Sequence, residues 1–218
     1  MNKNGRFGFF KLPASYNNLD HTERVKIAFQ FTLMSVCSLI LGVLLSRSLS
    51  EVFYSDYVVN ISTHFETLFL KCEKFYDYFL CVASYAISDI VCVIIIFCVS
   101  FAAFNYVVSD LVLAYLGIKT GLAVSFLFTF ISNPEFQYNI GWLKYMVFLI
   151  FKLFILIIIW DYSYRSAVYS YNLKKVNTLG RSATSAKTLF VFIINTAAYL
   201  GSVIILNILY CLLVYLLK

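Results

Sequence analysis

Apolar residues gather in five long runs, at about 25–45, 79–104, 106–130, 143–160 and 188–217, each interrupted by few charges or none. A helix needs about 20 such residues to cross a hydrocarbon core. The runs therefore predict five transmembrane helices. Only a tight turn around Asn105 separates the second run from the third, so these two read as a helical hairpin. The stretch 46–78, by contrast, is too polar to span.

A different period runs through 46–78. Tyr54, Val58, Ile61, Phe65, Leu68, Cys72, Phe75 and Phe79 recur at alternating spacings of 4 and 3, which is an apolar stripe of heptad period. Glu51, Asp56, Glu66, Lys71, Glu73, Lys74 and Asp77 fall off the stripe. The pattern predicts an amphipathic helix leading into the second run. It lies on the bilayer or against the bundle, or it docks a protein partner through Val58, Ile61, Phe65, Leu68 and Phe75. His64 stands alone beside it and reads as solvated.

Composition agrees with a lipid environment. The 218 residues are 61% hydrophobic and 13% charged, whereas soluble domains carry about a quarter charged residues. Most enzyme and nucleic-acid-binding classes are excluded on that ground, and the net charge of +6 becomes mainly a topology signal. Lys3, Arg6, Lys11, Arg24 and Lys26 precede or open the first run, and Arg165, Lys174, Lys175, Arg181 and Lys187 fall between the fourth and fifth. The 46–78 and 131–142 loops hold only Arg47, Lys71 and Lys74. The positive-inside rule then places the N-terminus in the cytoplasm and the C-terminus outside. The fold class expected is all-α, a polytopic membrane bundle. A basic cytoplasmic segment, 1–24, precedes a single membrane domain, 25–218, which includes the outer segment 46–78 and a cytoplasmic basic loop, 161–187. The first run has a polar lead of 24 residues and no A-x-A site, so it reads as an uncleaved anchor.

Charges inside apolar runs are costly, about 2.5–3.5 kcal/mol each at a helix centre on insertion scales. Away from the ends of the runs they are Asp89, Asp110, Lys119 and Lys152. Counting along alternating spans brings Asp89, Lys119 and Lys152 to one depth near the midplane, with Asp110 nearer the cytoplasmic end. A pair between Asp89 and Lys119 would remove two unpaired charges and set helix register. The three also form a candidate polar site for a proton, ion or anionic group. Gly117 and Gly121, with Ala114 and Ser125, make a small-residue stripe for close helix packing, within the chain or between copies in a homo-oligomer. Asn195 and Asn207 in the last run are expected to bond neighbouring helices.

Catalytic and metal signatures have no counterpart. The sequence contains no H-E-x-x-H, G-x-S-x-G or P-loop, and its two histidines, His21 and His64, lie outside the runs. Cys37, Cys72, Cys81, Cys92, Cys98 and Cys211 form no C-x-x-C pair, so neither a metal site, a cofactor nor a disulfide framework is implied.

The order of segments resembles the bacterial stage II sporulation protein M family. A basic start, a first span FTLMSVCSLILGVLL, an outer segment of about 30 residues and a close pair of spans holding YLGIKTGLAVSFLF are followed by a fourth span, a basic loop and a last span. Gly117 and Gly121 match paired glycines of the family's middle segment, and Gly42 a glycine late in its first span. The resemblance implies a non-enzymatic scaffold of the bacterial cytoplasmic membrane. It would hold peptidoglycan-degrading partners during sporulation engulfment. The alternative is a small ion or solute transporter, or a transporter's membrane subunit, working through Asp89, Lys119 and Lys152.

Overall fold

The computed structural model describes residues 21–48, 74–102, 104–132, 142–178 and 183–216. Of these, 96% are helical, and no strand occurs among the described residues. The helices are α1 (His21–Ser48), α2 (Phe75–Val99), α3 (Asn105–Ser132), α4 (Trp142–Thr178) and α5 (Ala183–Leu216). Four of them, α1, α3, α4 and α5, are each long and apolar enough to cross a membrane. The chain is thus a multi-pass membrane protein. The second expected span differs: α2 is bent by 43° between Ser84 and Ala86, and its halves meet the same criterion only together.

Local chemistry places the helix ends. Asp77, in the first turn of α2, accepts the backbone N–H of Lys74 at 3.3 Å, supplying an acceptor where the first turn leaves donors unpaired. At the other end the Ser100 N–H bonds Ile96 O and Phe97 O, and the Ala102 N–H bonds Val99 O where the chain leaves α2. Trp142–Thr178 has 37 residues, about 55 Å of helix at 1.5 Å per residue, well beyond a hydrocarbon core of about 30 Å. The segment that the charge pattern marks as a loop from Asp161 is therefore helix as far as Thr178.

Side-chain contacts fix helix directions. Gln30 bonds Asp110 and Ser46 bonds Ser125, offsets of 80 and 79 positions, so α1 and α3 run parallel. Tyr145 donates to Ala123 O while Asn105 donates to Ser166, which makes α3 and α4 antiparallel. Tyr162 meets Thr196 and Phe148 meets Tyr210, so α5 reverses α4. Asp89 meets Lys152 and Ser100 meets Ser166, so α2 runs with α4. Direction alternates from each helix to the next along the chain. The start of α1, the turn after α2, the end of α4 and the start of α5 consequently share one end of the bundle.

Despite the short turn between them, α2 and α3 are not principal partners; α3 packs chiefly along α1. The core is filled largely by rings. Phe192 of α5 stacks on Tyr169 of α4 at 4.0 Å and on Phe97 of α2 at 5.8 Å. The opposite face of α1, with Phe29, Leu33, Val36, Ile40 and Leu44, is exposed, as a lipid-facing surface requires.

Candidate functional site

Asp89, Lys119 and Lys152 come from α2, α3 and α4 and line one cavity. Lys152 Nζ donates to Asp89 Oδ2 at 2.5 Å, and Asp89 is 1% exposed. Lys119 Nζ donates to Ser88 Oγ at 2.7 Å. The ion pair expected between Asp89 and Lys119 is thus formed with Lys152 instead. Rotation of α2 explains the difference: it turns the Asp89 carboxylate to Lys152 of α4 and the Ser88 hydroxyl, about 100° round the helix, to Lys119 of α3. Lys152 also lies 5.9 Å from the Phe148 ring centroid, where the negative ring face favours a cation. Thr120, Ala123, Leu116, Ile155 and Leu156 complete the walls, and the space they leave has room for about one water molecule. Asp110, by contrast, is not left to solvent alone, since Gln30 Nε2 of α1 donates to its Oδ2 at 2.5 Å.

Gly117 and Gly121 face α1. A Cβ on Gly121 would run into the Leu39 carbonyl and sit 3.0 Å from Gly42 Cα, and one on Gly117 would run into Ser38. The backbones touch because both helices carry small residues at the crossing. On α1 these are Ser38, Gly42 and Ser46, and on α3 they are Gly117, Gly121 and Ser125. The i, i+4 recurrence of Ser38, Gly42 and Ser46 is itself a sequence signal that pairs with the α3 stripe. At 100° per residue Lys119 points away from this seam, toward α2.

A second polar cluster was not evident from the sequence. Asp161 and Arg165 of α4 are buried, at 5% and 2% exposure. Arg165 Nε donates to Asp161 Oδ2 at 3.1 Å, and Tyr199 OH of α5 donates to the same oxygen. The Arg165 guanidinium lies 5.9 Å from the Tyr199 ring centroid, and its two terminal nitrogens are buried with no hydrogen-bond acceptor among the described residues. Because the apolar run stops at Trp160, Asp161 and Arg165 read as loop charges. Their i, i+4 spacing was the available sign of a helical pair. A third cluster lies at the α2–α3 turn. Ser166 Oγ contacts Ser100 Oγ at 2.5 Å and accepts from Asn105 Nδ2 at 3.1 Å, and Ser109 donates to Asn105 Oδ1 at 2.9 Å. Asn207 does not bridge helices as expected; its Nδ2 donates to Val203 O one turn earlier in α5.

Of the outer stripe, Val58, Ile61, Phe65 and Leu68 lie outside the described residues. Phe75 and Phe79 open α2. The Phe75 ring meets the edge of Tyr215, at the end of α5, at 5.7 Å, and Tyr78 meets the same ring at 5.6 Å. Cys37, Cys92 and Cys98 form no disulfide, whereas the side chains of Cys72 and Cys81 are outside the described set. No group of three or more His, Cys, Asp or Glu side chains suited to a metal occurs among the described residues. No family model matches this chain, and neither a curated protein nor a solved structure matches it.

Proposed function

We propose that the protein is a scaffold of the bacterial cytoplasmic membrane that anchors extracytoplasmic cell-envelope partners. The observation that carries this reading is how the membrane-buried charges are used. Lys152 is bonded to Asp89 at 2.5 Å, Lys119 to Ser88 at 2.7 Å, and the space between them has room for about one water molecule. Polar groups held this closely by one another serve helix register better than passage of a solute, which needs a wider polar lining. The glycine seam between α1 and α3 adds rigidity.

In this proposal the chain crosses five times, with α2 as one bent span, the N-terminus in the cytoplasm and the C-terminus outside. Alternating helix directions support five crossings. The start of α1 and the end of α4 share one bundle end, so the two basic segments adjoin the same side, as the positive-inside rule requires. The stripe of 46–78 then lies outside. Its last turn is held on the bundle by Phe75 and Tyr78 against Tyr215, which gives Val58, Ile61, Phe65 and Leu68 a fixed root from which to dock a partner. The resemblance to the stage II sporulation protein M family implies peptidoglycan-degrading partners of engulfment, and we infer from the stripe that they dock there.

Phe65→Lys with Leu68→Glu tests the reading. Co-purification of cell-wall hydrolases after in vivo crosslinking should be lost while insertion and yield stay normal. Undiminished co-purification overturns the docking surface. Ion or solute flux in liposomes, abolished by Lys119→Gln, would favour a transporter instead.

A further inference from the structure

We infer that two copies of this chain pair in the membrane along α5, with the Asn195 amides of the two copies hydrogen-bonded to each other. Polarity is the first argument. Asn195 lies about 11 Å from the middle of the apolar stretch Leu189–Leu216, counted at 1.5 Å per residue, and so falls inside a hydrocarbon core of about 30 Å. An amide at that depth has no water to bond. Ser202 and Asn207 of the same helix donate to Ala198 O and Val203 O. Asn195 is half-buried, and its side chain bonds none of the described residues.

Spacing is the second argument. Asn195, Ala198, Ser202, Ile205, Leu209 and Leu212 recur at intervals of 3, 4, 3, 4 and 3, the period of a seam between two helices wound left-handedly. This seam lies beside the face that α5 buries in its own bundle through Phe192, Tyr199, Val203 and Tyr210, and Ile205, Leu209 and Leu212 are exposed. Small side chains at Ala198 and Ser202 let a second backbone come close beside the amide. The exposed face of α1, by contrast, presents Phe29, Leu33, Val36 and Ile40, which lipid satisfies.

Complementarity selects the occupant. Copies inserted with one topology present α5 parallel and at equal depth, so a two-fold axis along the membrane normal sets each seam residue opposite its counterpart. An amide carries donors and an acceptor, so Asn195 is complementary to itself. A lone polar residue at such a position also fixes the register of a parallel pair. The inference rests on α5 crossing the membrane and does not depend on the scaffold reading.

The test is sedimentation equilibrium of the purified full chain in a density-matched neutral detergent. The wild type should show a monomer–dimer equilibrium. Asn195→Leu should weaken it about 3–30-fold, the range measured for interhelical hydrogen bonds in membranes. Because Asn195 bonds nothing within the described chain, this variant should keep wild-type helix content and stay monodisperse. Ala198→Leu, which holds the backbones apart, should also weaken the dimer, and Asn195→Gln, which keeps an amide, should retain it. Leu33→Ala on the exposed face of α1 should leave it unchanged. A monomeric wild type overturns the inference, as does an Asn195→Leu variant that associates as tightly as the wild type. Weakening by Leu33→Ala also overturns it, because the copies then meet through α1.

Discussion

Adding a single methyl group at Gly121 should separate α1 from α3. The new Cβ would collide with the Leu39 carbonyl and sit 3.0 Å from Gly42 Cα, against an optimal carbon–carbon separation of about 3.5–4.0 Å. Backbone atoms cannot swing aside as a side chain would, so the helices themselves must part. An opening of about 0.5–1 Å forfeits a quarter to a half of each contact's dispersion energy along the seam, and the Ser46–Ser125 hydrogen bond lies in the same crossing. Apolar burial does not compensate, because lipid solvates a parted helix as well as its neighbour does. Overpacking of this kind costs about 1–3 kcal/mol. Gly201→Ala is the control, since nothing lies within 4 Å of the Cβ it would add. Equilibrium unfolding in mixed micelles, titrated with a denaturing detergent, should show Gly121→Ala destabilised by about 1–3 kcal/mol and Gly201→Ala unchanged or slightly stabilised. Gly42→Ala combined with Gly121→Ala should cost less than the sum of the two, because both methyl groups demand the same gap. Equal stability of Gly121→Ala and Gly201→Ala would refute the seam.

Asp89→Asn leaves Lys152 buried without its carboxylate and should cost about 3–5 kcal/mol, read as loss of monodisperse protein on size-exclusion chromatography. Adding Lys152→Met should restore it and adding Lys119→Met should not; the reverse pattern would assign the carboxylate to Lys119. Tyr199→Phe removes one donor from the buried Asp161 carboxylate and should lower stability by about 1.5–3 kcal/mol in the same micelle titration, with no change expected if Arg165 alone satisfies Asp161. Ser166→Ala strips the Ser100 and Asn105 contacts of the α2–α3 turn with α4 and leaves the Ser170–Ala102 bond. It should cost about 1–3 kcal/mol and raise amide exchange at residues 100–105, whereas unchanged exchange there would show that the turn holds without Ser166.

Much of the architecture was legible in the sequence because lipid imposes simple rules. Long apolar runs can satisfy their backbone only as helices, so helix content and the multi-pass character follow from where charges are missing. That three charges meet within the bundle was legible too. The rise per residue is constant, and counting along alternating runs brings Asp89, Lys119 and Lys152 to one level without any knowledge of packing. The end of α4 was not legible. A polarity window closes at Trp160, yet Asp161 and Arg165 remain inside because each neutralises the other and α5 covers both with Tyr199.

What the sequence by itself determined is therefore one-dimensional: which segments are helical, which are apolar enough for a membrane, and how deep each charge lies along its own helix. Rotation of the helices and choice of neighbour were decided only in the tertiary structure. Asp89 could meet either lysine at its level, and it meets Lys152 because α2 is rotated so that Asp89 faces α4 and Ser88 faces Lys119 of α3. Gly117 and Gly121 could serve a second copy or any helix of this chain, and they serve α1 because Ser38, Gly42 and Ser46 offer a matching small face. In lipid the hydrophobic effect does not distinguish one apolar neighbour from another, so close packing and the pairing of scarce polar groups make that choice.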